Sequence, residues 1–280
     1  MNIMDQLPLK PFSLTSYRVS TITATGSIKS CVNLSTLFES IEIGINPYLK
    51  YVEYGASKTE TNSKGESGRK PKRNMINKSA VRKRFDNQMT FVFHKGGVKY
   101  NVKLFKNGNV QMTGVKDVAA GSEIVDELIK VVKDLENMGN KIAENVDGIN
   151  NSGLKICLMN CDFKVLFNIN RNALHKVLLD AGYACTYEPC IYQGVKLSYF
   201  ISDDSYNGKC NCELRCSGKG TKTHCKRITV AFFQSGAVTI NGAKNKMQLD
   251  MLYDFVERVI RENTQVVQQI YFKPRLKLHV

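Results

Sequence analysis

Four cysteines in the second half of the chain have the types and spacing of metal ligands. They occur as Cys210-x-Cys212-x3-Cys216-x8-Cys225. Four thiolates can hold one Zn²⁺ ion in tetrahedral geometry. The surrounding segment, 203–226, contains hardly any apolar residue besides Leu214, so a metal would supply the cohesion that a hydrophobic core cannot. The pattern predicts a structural zinc site, with unliganded thiols as the alternative.

The rest of the sequence offers no comparable set of reactive side chains. The other cysteines are scattered and are predicted to be structural thiols (Cys31, Cys157, Cys161, Cys185 and Cys190). An odd total of nine cysteines, in a chain without a signal-peptide pattern, favours free thiols over disulfides. The sequence contains only four histidines, and shows neither a carboxylate cluster nor a nucleophile–base pair. It therefore predicts no catalytic residue and no enzyme.

Positive charge is concentrated in one segment. The chain has 40 Lys and Arg against 25 Asp and Glu, a formal charge of +15. Residues 56–84 alone hold ten of the cations and two of the acids. Such a charge favours a polyanion, nucleic acid first, as the partner. The segment ends in Arg82, Lys83 and Arg84, which we expect to contact DNA phosphates, with a localisation signal as the alternative.

The composition is typical of a globular protein. With 42% hydrophobic and 23% charged residues, the chain is too apolar for a disordered tail and can bury one large core or two smaller ones. No window approaches 18 consecutive apolar residues. We therefore expect neither membrane insertion nor secretion.

An internal repeat organises the elements that would position a nucleic-acid site. Residues 104–116 and 232–244 align without gaps, so that Phe105 matches Phe233 and Lys116 matches Lys244. Each copy alternates apolar and polar residues around a glycine-containing turn, which is typical of a β-hairpin. The same offset continues into an apolar stripe of helical spacing (Ile124, Leu128, Val131 and Val132; Leu252, Val256, Val259 and Ile260). Two copies of one unit are predicted.

Each copy is predicted to run strand, short helix, four strands and long helix. The first strands are 19–25 and 154–163, and the short helices are 34–43 and 173–181, with Asn33 and Asn172 as N-caps. Further strands precede the hairpins, at 88–93, 98–105, 195–201 and 227–233. This order predicts an α+β fold with an antiparallel sheet and both helices on one face.

Alternation along the hairpin strands separates the two faces of the sheet. Apolar side chains mark the helix-packed face in both halves (Val102, Leu104, Val110 and Met112; Val230, Phe232, Val238 and Ile240). The opposite face carries short hydrogen-bonding groups, few carboxylates and one Phe per copy. That face suits the DNA minor groove, where A·T pairs offer only acceptors and an aromatic wedge can enter a base step. A solvated sheet face is the alternative.

These residues resemble the TATA-box-binding protein family. The second half contains YEPCIYQGVKLSYF (187–200) and ITVAFFQSGAVTINGAK (228–244), which are similar to the family's YEP, aromatic-x-Gly, F-x-SG and TGAK motifs. LFKNGNVQMTGVK (104–116) is the weaker first copy. The sequence is most similar to the divergent TATA-binding-like proteins of large nucleo-cytoplasmic DNA viruses.

The resemblance implies two pseudo-symmetric repeats that form a curved antiparallel β saddle with helices on the convex face. Its concave face would bind and bend AT-rich DNA through the minor groove. The wedges would be Phe85 and Phe105 in the first repeat, with Tyr192 and Phe233 in the second. The other matching DNA-binding positions are Thr113, Asn241, Gln111, Thr239, Lys103, Ala231, Lys116 and Lys244. Glu188 matches a position that the family uses to contact transcription factor IIB.

The sequence departs from the family on the first strand of each repeat. The two asparagines that the family has there are absent. Tyr17 and Ile156 fall nearest, although Asn160 lies close by. Tyr192 adds a hydroxyl to a wedge position, and that hydroxyl needs a hydrogen-bond partner. The resemblance therefore implies AT-rich or deformable DNA rather than a strict TATA sequence.

The predicted organisation has five parts. They are an N-terminal tail (1–14), a first saddle repeat (15–138) with the basic insertion 56–84, a linker (139–152), a second saddle repeat (153–264) with the Cys-rich insertion 203–226, and a C-terminal tail (265–280). The implied partners are double-stranded DNA and a transcription factor IIB-like protein or a viral RNA polymerase. The implied location is the host nucleus or a cytoplasmic viral factory, with packaging in the virion as a further option.

Two other classes of function stay open at this point. One is a protein-interaction adaptor of the viral transcription machinery that keeps the saddle but has weak or altered DNA binding. The other is a nucleic-acid enzyme or its substrate-binding module, which the lack of a catalytic cluster disfavours.

Overall fold

The computed structural model describes residues 4–55, 62–66, 86–202, 205–212, 216–221 and 224–274. The chain forms two compact units. The first unit is Thr21–Cys157, and the second unit is Met1–Ser20 together with Leu158–Val280. Among the described residues, no helix has both the length and the hydrophobicity needed to cross a membrane.

Strands and helices follow one another in similar order in the two halves of the chain. Up to residue 137 the elements are β1 (Met4–Gln6), β2 (Arg18–Ser27), α1 (Leu34–Ser40), β3 (Leu49–Tyr54), β4 (Ser63–Gly65), β5 (Gln88–Lys95), β6 (Val98–Phe105), β7 (Asn109–Val115) and α2 (Val118–Asn137). From residue 155 they are β8 (Lys155–Lys164), α3 (Arg171–Asp180), β9 (Ala184–Thr186), β10 (Val195–Ser202), β11 (Ser205–Gly208), β12 (Lys219–Thr221), β13 (His224–Phe232), β14 (Ala237–Ala243), α4 (Lys246–Glu262), α5 (Thr264–Val267) and β15 (Phe272–Pro274).

The sheet of the first unit is antiparallel, with the strand order β2-β7-β6-β5-β3-β4. Alternate residues of β6 and β7 are buried, among them Val102, Leu104 and Met112, none of which is exposed to solvent. On α2, Ile124 and Leu128 are equally buried. The alternating apolar residues of the strands and the apolar stripe of α2 therefore pack in one core. The other face of β6 and β7 points away from α2.

The sheet of the second unit is also antiparallel, with the order β11-β10-β13-β14-β8. The short strand β9 pairs with β10, and β12 pairs with β13. Val230 and Ile240 from the sheet and Leu252 and Val256 from α4 are fully buried. Phe255 of α4 lies edge-on to Tyr199 of β10, with ring centroids 4.9 Å apart. The predicted antiparallel α+β architecture is therefore confirmed.

Side-chain caps fix where the helices begin. Asn33 caps α1, as predicted, because its side-chain oxygen accepts a hydrogen bond from the N–H of Thr36. The predicted cap of α3 at Asn172 is wrong. Asn170 is the cap, and its oxygen accepts from the N–H of Ala173 at 3.2 Å. The helix begins before its first apolar residue, so the apolar periodicity placed its start too late.

The segments predicted as linker and tails make defined contacts. In the first unit, Asn33 N–H donates to the carbonyl of Ile142 at 2.7 Å, and Glu144 N–H donates to the carbonyl of Cys31 at 3.1 Å. In the second unit, β1 pairs with β15. The predicted domain ranges themselves stay predictions.

Candidate nucleic-acid interface

The open face of the first unit presents rows of short polar side chains. Cross-strand pairing places Thr113 beside Thr23 and Asn101. It also places Gln111 beside Thr25 and Lys103. The structure thus brings together Thr113, Gln111 and Lys103, all predicted as DNA-binding residues. Thr and Asn donate and accept hydrogen bonds, which suits the edges of bases.

Backbone hydrogen bonds fix the hairpin turn that carries Phe105. Gly108 N–H donates to the carbonyl of Phe105 at 2.8 Å, and Ile28 N–H donates to the carbonyl of Gly108 at 2.9 Å. Gly108 has φ +77°, and a Cβ there would lie 2.1 Å from the carbonyl oxygen of Ser30. Only glycine fits this turn, which leaves the half-buried Phe105 at a defined place on the open face.

The turn that carries Phe233 in the second unit has the same construction. Gly236 N–H donates to the carbonyl of Phe233 at 3.0 Å, and Val165 N–H donates to the carbonyl of Gly236 at 2.8 Å. A Cβ at Gly236 would lie 2.1 Å from the carbonyl oxygen of Val165. Each unit therefore holds one Phe at a hairpin turn through the same two kinds of backbone hydrogen bond, one from the glycine N–H to the Phe carbonyl and one to the glycine carbonyl from another segment.

A groove of about 720 Å³ runs beside Phe105 in the first unit. It is lined by Thr25 and Gln111 of the polar rows and by two lysines that the sequence analysis missed, Lys29 and Lys155. Lys29 is the one described non-glycine residue with positive φ, +64°. Its backbone N–H donates to the hydroxyl of Ser27 at 3.0 Å. No motif in the sequence marked this lysine, because its position beside Phe105 depends on the turn of the backbone after β2.

Tyr192 and Phe233 lie together in the second unit. Their ring centroids are 5.8 Å apart, and a Cβ at Gly194 would touch both rings. The carbonyl of Glu188 accepts the N–H of Tyr192 at 2.8 Å, so a tight turn holds the tyrosine. Lys196 lies over the ring of Tyr192, with its Nζ 3.9 Å from the centroid. The structure thus brings two predicted wedge residues together beside a cation.

Arg171, at the start of α3, connects the two loops that carry these aromatic rings. Its guanidinium donates to the side-chain oxygen of Gln193, next to Tyr192. It also donates to the side-chain oxygen of Gln234, next to Phe233, at 3.1 Å. The same group lies over the ring of Tyr187. Arg171 therefore links the two loops that carry Tyr192 and Phe233.

The open face of the second unit is polar, but one of its predicted contact residues is buried. Thr239 pairs with Ala231 on one side, and Asn241 pairs with Thr229. The amide of Asn241 donates to the hydroxyl of Thr239 at 3.0 Å. Ala231 is only 2% exposed, so it offers little contact area. Lys244 and Lys116 are exposed at the ends of the two hairpin motifs.

One carboxylate lies on this face. Asp162 of β8 pairs with Thr239 of β14. Its carboxylate oxygens accept from Nη2 of Arg18 at 3.2 and 3.0 Å. The alternating pattern of the two hairpins does not extend to β8, so it did not predict Asp162 on this face. Strand pairing puts Asp162 there.

Tyr17 does not substitute for the family's asparagine on the open face. Its hydroxyl donates to Asp250 of α4, and its ring lies 5.6 Å from that of Tyr253, also on α4. Burial and the bond to Asp250 raise the pKa of Tyr17. The hydrogen bonds from Tyr17 and Lys246 lower the pKa of Asp250. Tyr17 fastens the start of β2 to the helix.

Most of the predicted phosphate-binding segment falls outside the described residues, including Phe85, Arg82, Lys83 and Arg84. The described part shows that its cations do not all face outward. Lys64 of β4 donates to the carbonyls of Glu39 and Ile41 at 3.0 and 2.8 Å. Its ammonium caps the end of α1, and burial lowers its pKa.

The four cysteines of the Cys-rich insertion converge. All four sulfur atoms of Cys210, Cys212, Cys216 and Cys225 lie within 4.8 Å of one another. In a tetrahedral site with Zn–S bonds of about 2.3 Å, sulfur atoms lie about 3.8 Å apart. The Sγ of Cys225 is 3.4 Å from that of Cys212 and 3.9 Å from that of Cys210. The N–H of Cys225 donates to Cys212 Sγ and lowers the pKa of that thiol. The cluster could hold a metal ion.

Comparison with known proteins gives the following results. No protein-family model matches the chain. The chain is 28% identical over 176 residues to a TATA-box-binding protein-like protein of Acanthamoeba polyphaga mimivirus. The match covers 57% of this chain and 42% of the relative, so the chain spans less than half of that protein's length. Among solved structures, Methanococcus jannaschii TBP matches with a TM-score of 0.48 and 18% identity, covering 89% of this chain and 99% of that one. The resemblance to the divergent viral members of the TATA-box-binding protein family is confirmed.

Proposed function

We propose that the chain is a non-enzymatic transcription initiation factor that binds and bends AT-rich DNA through the minor groove. Its similarity to a viral TATA-box-binding protein-like protein supports a DNA-binding role. The open sheet faces would contact base edges, and Phe105, Tyr192 and Phe233 would enter base steps. Phe85 is the proposed fourth wedge.

The observation that carries this proposal is the matched position of Phe105 and Phe233. Each lies at the end of a strand on a polar face, above a glycine whose close backbone contacts admit no side chain. Exposure to solvent alone does not explain a large apolar ring at the same place in both units. Insertion between base pairs gives each ring an apolar environment and bends the duplex.

The test is DNA bending by single and double variants. Removing an aromatic ring that stacks on a base costs about 1–3 kcal/mol in nucleic-acid binding. Phe105→Ala and Phe233→Ala should therefore each weaken binding to an AT-rich duplex roughly tenfold or more, and the double variant should lose the bend in an energy-transfer assay. Met138→Ala, at a 65% exposed position just after α2, is the matched control and should change neither. Unchanged affinity and bend in the double variant would favour the adaptor function.

We further propose that the cysteine cluster holds a structural Zn²⁺ ion. Apart from its cysteines, the described part of the insertion has Tyr206 as its only large apolar residue, and that side chain is 51% exposed. Four thiolates at these separations match the donor set and geometry of a closed zinc site. The bound ion would supply cohesion to the insertion and no chemistry.

The proposed partner surface lies on the turn that holds Tyr192. Glu188 is exposed there, and the neighbouring Ile191 is 81% exposed. A transcription factor IIB-like protein or a viral RNA polymerase would bind at this turn, in the host nucleus or in a cytoplasmic viral factory.

A further inference from the structure

One acidic side chain lies on the sheet face that, in the proposed function, contacts the minor groove. Asp162 is on the side of β8 opposite to the buried Cys161 and Phe163. Its partner across the strands, Thr239, is a predicted base-contacting residue. Asp162 is thus one strand away from that contact and on the same face.

The cation that balances this carboxylate is weakly held. Arg18 bonds Asp162 through one nitrogen only, and the Arg18 side chain is 79% exposed. Ion pairs this exposed are weak in water because solvent and salt compete for both charges. A long guanidinium at the edge of a DNA-binding face can also turn to a phosphate. DNA can therefore free the carboxylate of Asp162.

A free carboxylate discriminates between base pairs in the minor groove. A·T and T·A pairs present only the acceptors N3 and O2 there, whereas a G·C pair adds the guanine N2 amine, which is a donor. A carboxylate only accepts hydrogen bonds. Facing A·T it would lose water without gaining a partner, and facing G·C it would gain a charge-assisted hydrogen bond.

We propose that Asp162 selects one G·C pair within an otherwise AT-rich site, by accepting a hydrogen bond from the guanine N2 amine while Arg18 moves to a neighbouring phosphate. This inference rests on the proposed minor-groove function. It makes Asp162 a specificity-determining residue.

Duplexes containing inosine test the proposal directly, because inosine lacks the N2 amine of guanine and is otherwise unchanged. Starting from a bound AT-rich duplex, each A·T pair is replaced in turn by G·C and by I·C, and dissociation constants are measured at one salt concentration. At one position the unaltered protein should bind G·C about tenfold more tightly than I·C. Asp162→Ala should bind the two duplexes equally. Asp254→Ala, which removes an exposed carboxylate from α4, should keep the tenfold difference.

The outcomes separate this inference from the function on which it rests. If the unaltered protein binds no AT-rich duplex, the proposed function fails. If it binds and bends the AT-rich duplex but treats G·C and I·C alike at every position, only the role of Asp162 fails. If Asp162→Ala tightens binding to all duplexes by one common factor, the carboxylate acts through its charge alone and selects no base pair.

Discussion

At the scale of single residues, the turns that carry Phe105 and Phe233 depend on glycines that have no room for a Cβ. Gly108 and Gly236 both have positive φ and both approach a carbonyl oxygen of a neighbouring segment. A Cβ would have to displace backbone rather than a flexible side chain, so the contact cannot relax cheaply. These two constrained turns also limit where Phe105 and Phe233 can lie. If these rings insert into DNA as proposed, pre-organisation of this kind reduces the entropy lost on binding.

Lys29 provides a prediction at the same scale. A left-handed backbone costs a non-glycine residue about 1–2 kcal/mol, and Lys29 occupies that region beside Phe105. Lys29→Gly should therefore leave the free energy of unfolding unchanged or raise it by up to about 1 kcal/mol. If Lys29 contacts a phosphate, the same change should lower the slope of log affinity against log salt by about 0.9.

The control for this prediction is Lys130→Ala, which removes one exposed cation from α2 and should not alter the slope. Chemical denaturation and salt titrations of DNA binding measure the two effects separately. A Lys29→Gly protein with an unaltered salt slope would remove Lys29 from the interface.

At the scale of elements, the cysteine cluster joins the insertion to the sheet of the second unit. Cys210 and Cys212 follow β11, Cys216 precedes β12, and Cys225 belongs to β13. The rest of β13 is held by Val230 and Phe232 in the core. Loss of a bound metal should therefore loosen the insertion and leave the core strand in place.

Metal removal tests this prediction. Purified protein should contain about one zinc per chain, since four thiolates make one closed site. Chelation or Cys212→Ser should abolish the bound metal and open the insertion to trypsin at Lys209 or Lys219, with little change in the far-UV circular dichroism. Cys157→Ser, at an exposed thiol outside the cluster, should retain the metal. Purified unaltered protein without any bound metal would contradict the zinc assignment.

At the scale of the whole molecule, net charge and sequence preference have different origins. More than half of the +15 comes from residues 56–84, whereas the open faces are mostly neutral. Phosphate contacts supply salt-dependent affinity, and base-edge contacts supply specificity. We therefore expect changes in the basic segment to weaken binding to all duplexes alike.

Replacing Arg82, Lys83 and Arg84 by serine tests this expectation. If all three contact phosphates, the salt slope should fall by about 2.7, while the ratio of affinities for two AT-rich duplexes should not change. Replacing Lys130, Lys133 and Arg258 on α2 and α4 by serine removes the same charge. This control should leave the salt slope of DNA binding unaltered. An unaltered slope in the first variant, together with loss of nuclear accumulation, would instead identify a localisation signal.

Apolar periodicity and glycine turns are local patterns, and they were enough to predict the antiparallel α+β architecture. The buried stripes of α2 and α4 and the alternating strands of both hairpins lie as those patterns predicted. The spacing of the cysteines also sufficed to predict their convergence.

Which polar side chains share a face or a contact depends on how distant segments of the chain pair. Tyr17 bonds to α4, Lys64 caps α1, and Asp162 lies beside Thr239. Each outcome depends on pairing between residues far apart in the chain, which no local pattern encodes. The net charge likewise could not show that a carboxylate, balanced by one exposed arginine, lies on the face proposed to contact DNA.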